Sequence, residues 1–372
     1  MTDLEAVIGL NKVCDIGGIR LKKLLNYFDK PVNILKATQE KLMAVSGIGP
    51  KIADEIHSLN KEDINQELVL AKRYNLKIIT TDDQDYPENL KNIPDPPIVL
   101  YLKGELKEQD KLSIAIVGSR RASFYGLSSA ERFAGDLSNL GFTIVSGMAR
   151  GIDTYAHRGA LKQGNRTIAV MGSGFGHLYP EENKALAEEI ARHGAVLSEF
   201  PIDERPLRQN FPRRNRVISG LSLGVLVVEA ARNSGALITA DFALEQAREV
   251  FALPGKVDSW NSFGTHELIK QGAKLVSGVR DILEELNLTL PTPRQRDALT
   301  ASLDESGGSR KQTQKLSADE SLLYSIISNQ SMPLDEIIEK TNFNVPKVTE
   351  ILLNLQMKSL IKELPGKQFI RN

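Results

Sequence analysis

Residues 113–121 read Ser-Ile-Ala-Ile-Val-Gly-Ser-Arg-Arg, and residues 143–153 read Thr-Ile-Val-Ser-Gly-Met-Ala-Arg-Gly-Ile-Asp. Each stretch is a short apolar run, rich in Ile and Val, that runs into a glycine. Continuous apolar runs of this length are typical of strands that are buried on both faces of a parallel sheet. Because parallel strands need crossover helices between them, the two stretches predict a Rossmann-like α/β domain with a doubly wound, mostly parallel sheet.

Further runs of the same kind recur along residues 111–288, with helical stretches between them. The predicted strands are Ile114–Val117, Thr143–Ser146, Thr167–Met171, Ala195–Glu199, Val225–Glu229 and Val250–Leu253. A doubly wound sheet binds its ligand at the carboxyl ends of its strands. The functional site is therefore expected at the strand exits of this central domain.

Residues 1–75 have helical periodicity and contain two glycine-rich turns, which predicts a helix-hairpin-helix-like domain. The second turn, residues 45–51, fits the helix-hairpin-helix pattern, in which backbone amides of a Gly-x-Gly turn bind a DNA phosphate. The first, residues 16–20, departs from that pattern because it has Gly-Gly-Ile in place of Gly-Ile-Gly. A packing or protein-contact role stays open for this domain.

The other segments differ from these domains in composition. Residues 76–110 are a Pro-rich connector, and residues 289–317 are rich in Ser, Thr and Gln, as in a flexible linker. Residues 318–372 predict three helices and a β-hairpin, the order of a winged helix. The third helix offers few base-reading groups on its polar side, so protein contact is favoured over duplex reading; that side carries Lys347, Thr349, Glu350 and Asn354.

The composition excludes several classes of protein. Lys plus Arg equal Asp plus Glu at 47 each, so any anion site must be local. One cysteine, Cys14, excludes an intramolecular disulfide and a cysteine-based zinc site, and the five histidines lack metal-ligand spacing. The first residues do not resemble a secretory signal, and no apolar run reaches the ~18 residues of a membrane span. We expect a soluble, cytoplasmic protein with no membrane association, no cofactor and no metal.

Three glycine-containing strand exits form the first part of the candidate site. They contribute Gly118, Ser119, Arg120 and Arg121 after the first strand, Gly147, Arg150 and Gly151 after the second, and Gly172, Ser173 and Gly174 after the third. Glycine lets a backbone approach an anion closely, and arginine binds phosphate with two parallel hydrogen bonds. The competing interpretation is that these glycines only form tight strand-to-helix turns.

Residues 201–216 form the second part, with five arginines against two acids and prolines that disfavour regular helix. In such a loop Phe211 could stack on a base, while Arg213, Arg214, Asn215 and Arg216 could bind the backbone of a nucleic acid. A solvated charged loop is the alternative, with Phe211 as a packing anchor.

Known catalytic motifs are absent. Residues 172–176 do not match G-x-G-x-x-G, and Gly255-Lys256 lacks the flanking residues of a phosphate-binding loop. Asp153, Glu199 and Glu229 could serve a nucleotide hydrolase, but acids at such positions more often cap helices or orient arginines. The sequence predicts a protein that is not an enzyme.

Taken together, these motifs resemble those of the DNA-processing protein A family, also called DprA or Smf. The resemblance rests on Gly118-Ser119-Arg120, on residues 146–153, on residues 211–222 and on the Pro-rich connector. It implies single-stranded DNA bound in a basic pocket at the sheet edge, loading of the recombinase RecA during natural transformation, and a homodimer through the central domain.

Two other interpretations remain. The central fold also resembles phosphoribohydrolases of the lysine-decarboxylase-like group, which carry a Pro-Gly-Gly-x-Gly-Thr stretch. Here the corresponding exit, residues 229–239, lacks that glycine cluster, which argues against the enzyme. The third possibility is an adaptor whose pocket no longer binds a ligand.

Overall fold

The computed structural model describes residues 1–288 except Cys14, and residues 317–371 except 329–330, 342, 358–359 and 365–366. The chain divides into two compact units, Met1–Leu290 and Pro291–Asn372. Residues 289–316 of the predicted linker lie outside the described residues.

A nine-stranded sheet forms the centre of the first unit. Its strands are β1 (Lys77–Thr80), β2 (Val99–Gly104), β3 (Ser113–Val117), β4 (Thr143–Ser146), β5 (Thr167–Val170), β6 (Ala195–Ser198), β7 (Gly224–Val227), β8 (Glu249–Ala252) and β9 (Lys274–Leu275). The spatial order is β1-β2-β6-β5-β4-β3-β7-β8-β9. Neighbours from β6 through β9 pair in parallel, whereas β1 with β2 and β2 with β6 pair antiparallel. The predicted Rossmann-like, mostly parallel sheet is confirmed, and β3–β8 coincide with the six predicted strands.

Three strands of the sheet lie outside the sequence prediction: β1, β2 and β9. β1 and β2 come from the segment interpreted as a connector, and they extend the sheet past β6 in the register Ile79 opposite Leu100. β1 and β9 are short strands at the two edges of the sheet, so sequence pattern gives them little signal. β2 is longer, but it directly follows the prolines for which the segment was interpreted as a connector. The boundaries of the predicted domains stay predictions.

The described residues of the first unit also form fourteen α-helices. They are α1 (Asp3–Lys12), α2 (Gly18–Phe28), α3 (Pro31–Leu35), α4 (Gln39–Met43), α5 (Pro50–Ser58), α6 (Lys61–Arg73), α7 (Glu88–Lys91), α8 (Phe124–Asn139), α9 (Ile152–Lys162), α10 (Lys184–His193), α11 (Asn210–Leu221), α12 (Gly235–Glu245), α13 (Phe263–Lys270) and α14 (Val279–Glu285).

Alternate residues of each strand face opposite sides of the sheet. In β3, Ile114 and Ile116 pack against α8, α9 and α14, whereas Ala115 and Val117 pack against α11, α12 and α13. This period of two follows from the pleat, and burial on both faces explains why the strands are apolar throughout. The two helical layers leave the carboxyl ends of the strands open between them.

The N-terminal helices share a hydrophobic core with α9, α10 and strands β2, β5 and β6. Two polar contacts also join them to the exit of β6: Asn11 Nδ2 donates to the Glu199 carbonyl at 3.0 Å, and the Ile202 N–H donates to Glu67 Oε1 at 2.7 Å. Residues 1–75 therefore form part of the same compact unit as the sheet.

The two glycine-rich turns of this region differ in exposure. Gly17 and Gly18 pack against Asp95 and Pro96, and the Ile19 N–H donates to Asp95 Oδ1 at 3.2 Å. Residues 45–49 join α4 to α5 in a turn with exposed Ser46 and Gly47, in which the Ile48 N–H donates to the Val45 carbonyl at 3.0 Å, and this arrangement agrees with the predicted helix-hairpin-helix motif. Binding of a phosphate by this turn stays a prediction.

The second unit has the predicted winged-helix fold. Three helices, Ala318–Ile326, Leu334–Thr341 and Val345–Met357, pack on a small sheet whose strands are Met332–Pro333, Ile361–Leu364 and Gln368–Arg371. The core of this unit is its own, since its buried cluster contains only residues after 317. Lys347 on the third helix pairs with Asp319 at 2.7 Å, which fits the interpretation that this helix is no duplex reader.

Candidate nucleic-acid interface

The strand order changes direction at β3. The chain runs from β3 through β4 and β5 to β6 on one side, then returns to β7 on the other side of β3. The loops that follow β3 and β7 therefore leave in opposite directions and open a crevice, as at the ligand sites of doubly wound sheets. A cleft of about 1150 Å³ lies at this point, bordered by the exits of β3, β7 and β8 and by the first turns of α11 and α12.

The loop after β3 forms one wall of the cleft. The Ser119 N–H donates to the Glu229 carbonyl at 2.7 Å, and the Ile152 N–H donates to the Ser119 carbonyl at 3.3 Å. These bonds tie the loop to the exit of β7 on one side and to α9 on the other. Arg120 and Arg121 project from it as exposed side chains.

Gly151 locks this loop to the next one. Its φ is +74°, and a Cβ here would collide with the Ser119 carbonyl. Only glycine fits a left-handed position with such close backbone approach. The predicted glycine-rich loops after β3 and β4 thus meet, and Gly147 and Arg150 border a smaller side groove of about 150 Å³ next to Arg120.

Four exposed arginines line the cleft: Arg120, Arg121, Arg208 and Arg232. None of the four forms an ion pair with a residue that the structure describes. Asp153 is the one acidic residue in the described lining. Because the chain as a whole is neutral, this concentration of unpaired guanidinium groups is a local feature of the cleft.

Arg214 lies in the floor of the cleft and is 3% exposed. Its guanidinium donates to the carbonyls of Gly147 and Val170, and its Nε donates to Asn215 Oδ1 at 3.1 Å. Burial lowers the pKa of Arg214 to about 10, and burial raises the pKa of Asp153 even though Arg214 opposes that shift. Arg214 therefore holds the ends of β4 and β5 and lies near buried Asp153, while its expected contact with a DNA phosphate stays a prediction.

Arg216 and Arg213 are not in the cleft. Arg216 is buried, pairs with Glu199 and donates to the Asp95 carbonyl at 2.7 Å, while Arg213 lies 3.8 Å from Glu199. The predicted loop is wrong in its last part, since α11 already begins at Asn210. A proline is tolerated in the first helical turn because the amide that it lacks would have no helical partner. The helical period then turns residues 213 and 216 away from the face that carries Phe211, Arg214 and Asn215.

Asn215 lines the cleft as expected. Its Nδ2 donates to the Gly235 carbonyl at 3.2 Å, so the side chain joins α11 to the first turn of α12. Ser234 caps that turn by accepting from the Ala236 N–H at 3.3 Å. The cap leaves the amino end of α12 at the cleft wall.

Phe211 is half-buried and supports Arg120. Its ring lies on Gly172 and meets Tyr179 edge-on at 6.0 Å, and the Arg120 guanidinium lies 5.1 Å from the ring centroid. The ring packs inward, as in the packing interpretation, and also borders the cleft, while its stacking on a base stays a prediction. Its position under a guanidinium is a cation–π arrangement that orients Arg120.

The third glycine-rich loop does not reach the cleft. Gly172 lies beneath Phe211, Ser173 is buried and donates through Oγ to the His177 carbonyl at 2.7 Å, and the Gly174 N–H donates to the Glu204 carbonyl at 2.9 Å. Residues within 199–211 lie against this loop, and contact of Gly172, Ser173 and Gly174 with a ligand stays a prediction.

Arg150 is exposed, but it has a partner. Its Nε and Nη2 donate to the two carboxylate oxygens of Glu182, both at 2.6 Å, and its guanidinium lies 6.0 Å from the Tyr179 ring centroid. The hydrogen bonds from Arg150 lower the pKa of Glu182. A ligand phosphate in the side groove would compete with this carboxylate for Arg150.

Sequence reasoning missed several lining residues: Tyr179, Arg208, Arg232 and Trp260. The first loops are predicted from the rule that a ligand binds at the carboxyl ends of parallel strands. The same rule, applied to every parallel strand, includes the loops that follow β7 and β8. Those loops carry Arg232 and Trp260. Arg208 lies in the basic stretch 201–216, a few residues before the part of it that is predicted to bind.

The buried acids have internal partners. Glu229 accepts hydrogen bonds from the N–H of Ser123, at 2.8 Å, and from its hydroxyl, and Glu199 pairs with Arg216. Burial raises the pKa of Glu199, against the effect of Arg216. These contacts fit the interpretation that the acids cap helices and orient arginines.

In the described part of the chain, no three His, Cys, Asp or Glu side chains are placed to bind a metal, and no helix could span a membrane.

Comparisons with known proteins agree with this architecture. The family model of DNA recombination-mediator protein A matches residues 77–287, that of the DprA winged helix domain matches 308–367, and the helix-hairpin-helix motif matches 30–59. Protein Smf of Escherichia coli (strain K12) is 37% identical over 368 residues, which are 98% of this chain and 95% of that protein.

Two solved structures are also similar. The X-ray structure of DNA processing protein A (DprA) from Streptococcus pneumoniae has a TM-score of 0.68 and 35% identity, over 78% of this chain and 99% of that one. A structure of DNA processing protein A from Helicobacter pylori, concerned with its single-stranded DNA binding mode, has a TM-score of 0.51 and 31% identity, over 57% of this chain and 97% of that one.

Proposed function

This chain belongs to the DNA recombination-mediator protein A family, and on that premise we propose that it binds single-stranded DNA in the cleft between the exits of β3 and β7. The observation that carries the proposal is the set of four exposed arginines in one cleft, none with an acidic group within 4.0 Å among the described residues. Phosphates are common to all sequences, so binding through these arginines has little sequence preference.

The shape of the cleft supports a strand over a small anion. A volume of about 1150 Å³ is larger than a single phosphate needs, and the lining alternates arginines with the aromatic rings of Tyr179, Phe211 and Trp260. Charged and stacking groups in one groove are the features of single-strand binding surfaces. The solved structure of the H. pylori relative describes a single-stranded DNA binding mode of that protein.

The finer parts of the proposal follow from the family. The protein mediates recombination by delivering the bound strand to the RecA recombinase, acts in the cytoplasm as a homodimer through the central domain, and catalyses no reaction. Asp153, Glu199 and Glu229 support the last point, because each faces an internal partner. Release of free base from nucleoside monophosphates by the purified protein would contradict it.

The main test is the binding of fluorescently labelled single-stranded and blunt duplex oligonucleotides of equal length, followed by anisotropy across a salt series. The single strand is expected to bind more tightly. Arg120→Glu combined with Arg121→Glu should weaken binding and flatten the dependence of log K on log salt, by roughly one unit for each phosphate that the variant no longer neutralises.

Arg192→Glu is the matched control, because Arg192 is exposed on α10 and does not line the cleft. Equal affinity for duplex, or an equal decrease of affinity in the control and the double variant, would reject the cleft as the single-strand site. Assembly of RecA on the strand, with and without the protein, tests the delivery step.

A further inference from the structure

Trp260 is an exposed aromatic residue in the wall of the cleft. It follows β8, in a short 3₁₀ turn, Trp260–Ser262, and 70% of its surface is exposed. Its aromatic neighbour among the described residues is Phe263, which it meets edge-on at 6.0 Å with an interplanar angle of 83°. Covering this exposed indole with a ligand would remove apolar surface from water, which is favourable.

The backbone around Trp260 is fixed. The Ala230 N–H donates to the Asn261 carbonyl at 2.8 Å, and the Gly264 N–H donates to the Ala230 carbonyl at 2.7 Å. Asn261 Nδ2 also donates to the Arg121 carbonyl at 3.2 Å. The turn that carries the indole is thereby joined to the exit of β7 and to the arginine loop after β3. Little backbone ordering is then needed when a ligand contacts the ring.

Phe211 is less accessible to a base. Gly172 lies against one part of its ring, Tyr179 meets it edge-on, and Arg120 lies over it. A base could reach Phe211 only after Arg120 moves. Trp260 has no arginine over its ring among the described residues, so its indole can take a base directly.

We propose that Trp260 is a stacking platform for an unpaired base of the strand whose phosphates lie on Arg120 and Arg121. The inference rests on the proposed function and adds a specificity determinant to it. In a duplex both faces of each base are covered by neighbouring pairs, whereas a single strand can present a free base face. Trp260 therefore selects single strands by their bases, while the arginines bind the backbone that both forms share.

The test uses two strands of equal length and charge, oligo(dT) and a strand of abasic deoxyribose phosphates. The full-length protein and its Trp260→Ala and Trp260→Phe variants are compared by anisotropy. Trp260→Ala should weaken binding of oligo(dT) by about 5- to 150-fold, and Trp260→Phe should retain most of the affinity of the unchanged protein. Binding of the abasic strand and the salt dependence should be the same in all three proteins, since the substitutions leave every phosphate-binding arginine in place.

The chain contains one tryptophan, so its fluorescence reports on this site directly. The emission should be quenched by oligo(dT) and not by the abasic strand. Val257→Ala is the matched control: Val257 precedes the same turn, is 85% exposed and does not line the cleft. It should bind both strands like the unchanged protein.

The outcomes separate this inference from the proposed function. If the unchanged protein binds neither strand, the proposed function fails. The stacking role is refuted if Trp260→Ala binds oligo(dT) as well as the unchanged protein does and the tryptophan emission of the unchanged protein stays constant on binding. Single-strand binding then stands. An equal decrease of affinity for the two strands would also refute stacking, because it would indicate a structural effect. If Trp260→Ala retains its DNA affinity but forms an assembly of different mass in solution, the ring belongs to a contact between copies of the chain.

Discussion

The ring of Phe211 lies directly on the backbone of Gly172, so that a Cβ added to Gly172 would come within 2.8 Å of Phe211 Cδ1. The exit of β5 thus supports Phe211, and Phe211 supports Arg120 above it. A loop that does not touch the cleft thereby sets the position of an arginine that lines it.

Gly172→Ala should displace Phe211 and weaken single-strand binding. Overpacking of this kind destabilises proteins by about 1–3 kcal/mol. In a Phe211→Ala background the added methyl group has room, so the same substitution should cost much less. Urea unfolding and DNA anisotropy of both single variants and the double variant measure the coupling. Additive costs would show that the two residues act independently.

Substitutions of Arg214 and Arg120 should differ in their effects, the first lowering the free energy of unfolding and the second lowering the affinity for DNA. Arg214→Ala leaves two buried carbonyls without their donor and removes the positive charge near buried Asp153, and each buried polar group left without a partner costs about 1–3 kcal/mol. Arg120→Ala, at an exposed position, should change the free energy of unfolding by less than about 1 kcal/mol while lowering DNA affinity. Urea titration of the two variants measures this. Equal stability of both proteins would contradict the role assigned to Arg214.

Glu182→Gln should raise affinity for single strands. The substitution releases Arg150 from its bidentate partner, so that the guanidinium can meet a phosphate in the side groove. The gain should be about threefold, the size of an exposed charge interaction. Glu181→Gln removes the same charge from the neighbouring exposed residue, and anisotropy compares the two. An equal gain in Glu181→Gln would point to overall charge in place of release of Arg150.

His157 should make the fold sensitive to mild acid. Burial lowers its pKa from the ordinary 6.5 to about 3, with a smaller effect of Arg214. The unfolded chain therefore binds a proton between these pH values that the folded chain does not. The stability that this histidine contributes is complete above pH 6.5 and falls by about 1.4 kcal/mol per pH unit below it, until pH 3.

His157→Gln should lose this component. Its free energy of unfolding should depend less on pH between 6.5 and 5, as measured by urea titration at each pH. Asp153 and Glu199, whose pKa values burial raises, are present in both proteins and cancel in the comparison. The exposed His193→Gln serves as control. Parallel profiles for His157→Gln and the unchanged protein would count against the burial of a neutral imidazole.

A chain that ends after Leu288 should keep most of its affinity for single strands. The cleft lies within the first unit, and the second unit has a separate core. A fragment of residues 317–372 should fold but bind weakly, because Lys347 on its third helix is paired with Asp319. Anisotropy with one oligonucleotide compares both fragments. Retention of most affinity by the second fragment would place the main site on the winged helix.

The sequence alone determined the fold class and the edge of the sheet at which the candidate site lies. Apolar runs such as Ile114–Val117 and Thr143–Ser146, both followed by glycine, predict strands buried on both faces with crossover helices between them. The carboxyl ends of those strands must then meet at one edge, which brings Gly118–Arg121 close to Gly147–Gly151. These inferences depend on local composition and on the period of burial, which a single sequence carries.

Only the tertiary structure decided which arginines are available. Arg214 and Arg216 stand in the same basic stretch as Arg208, yet the helix that begins at Asn210 turns them inward, while Arg208 stays exposed. Their partners are the carbonyls of Gly147 and Val170 and the carboxylate of Glu199. Whether an arginine is free depends on residues distant in sequence that reach it only after the strands have paired. Trp260 lines the cleft for the same reason, because β8 pairs with β7 and brings its exit to the cleft.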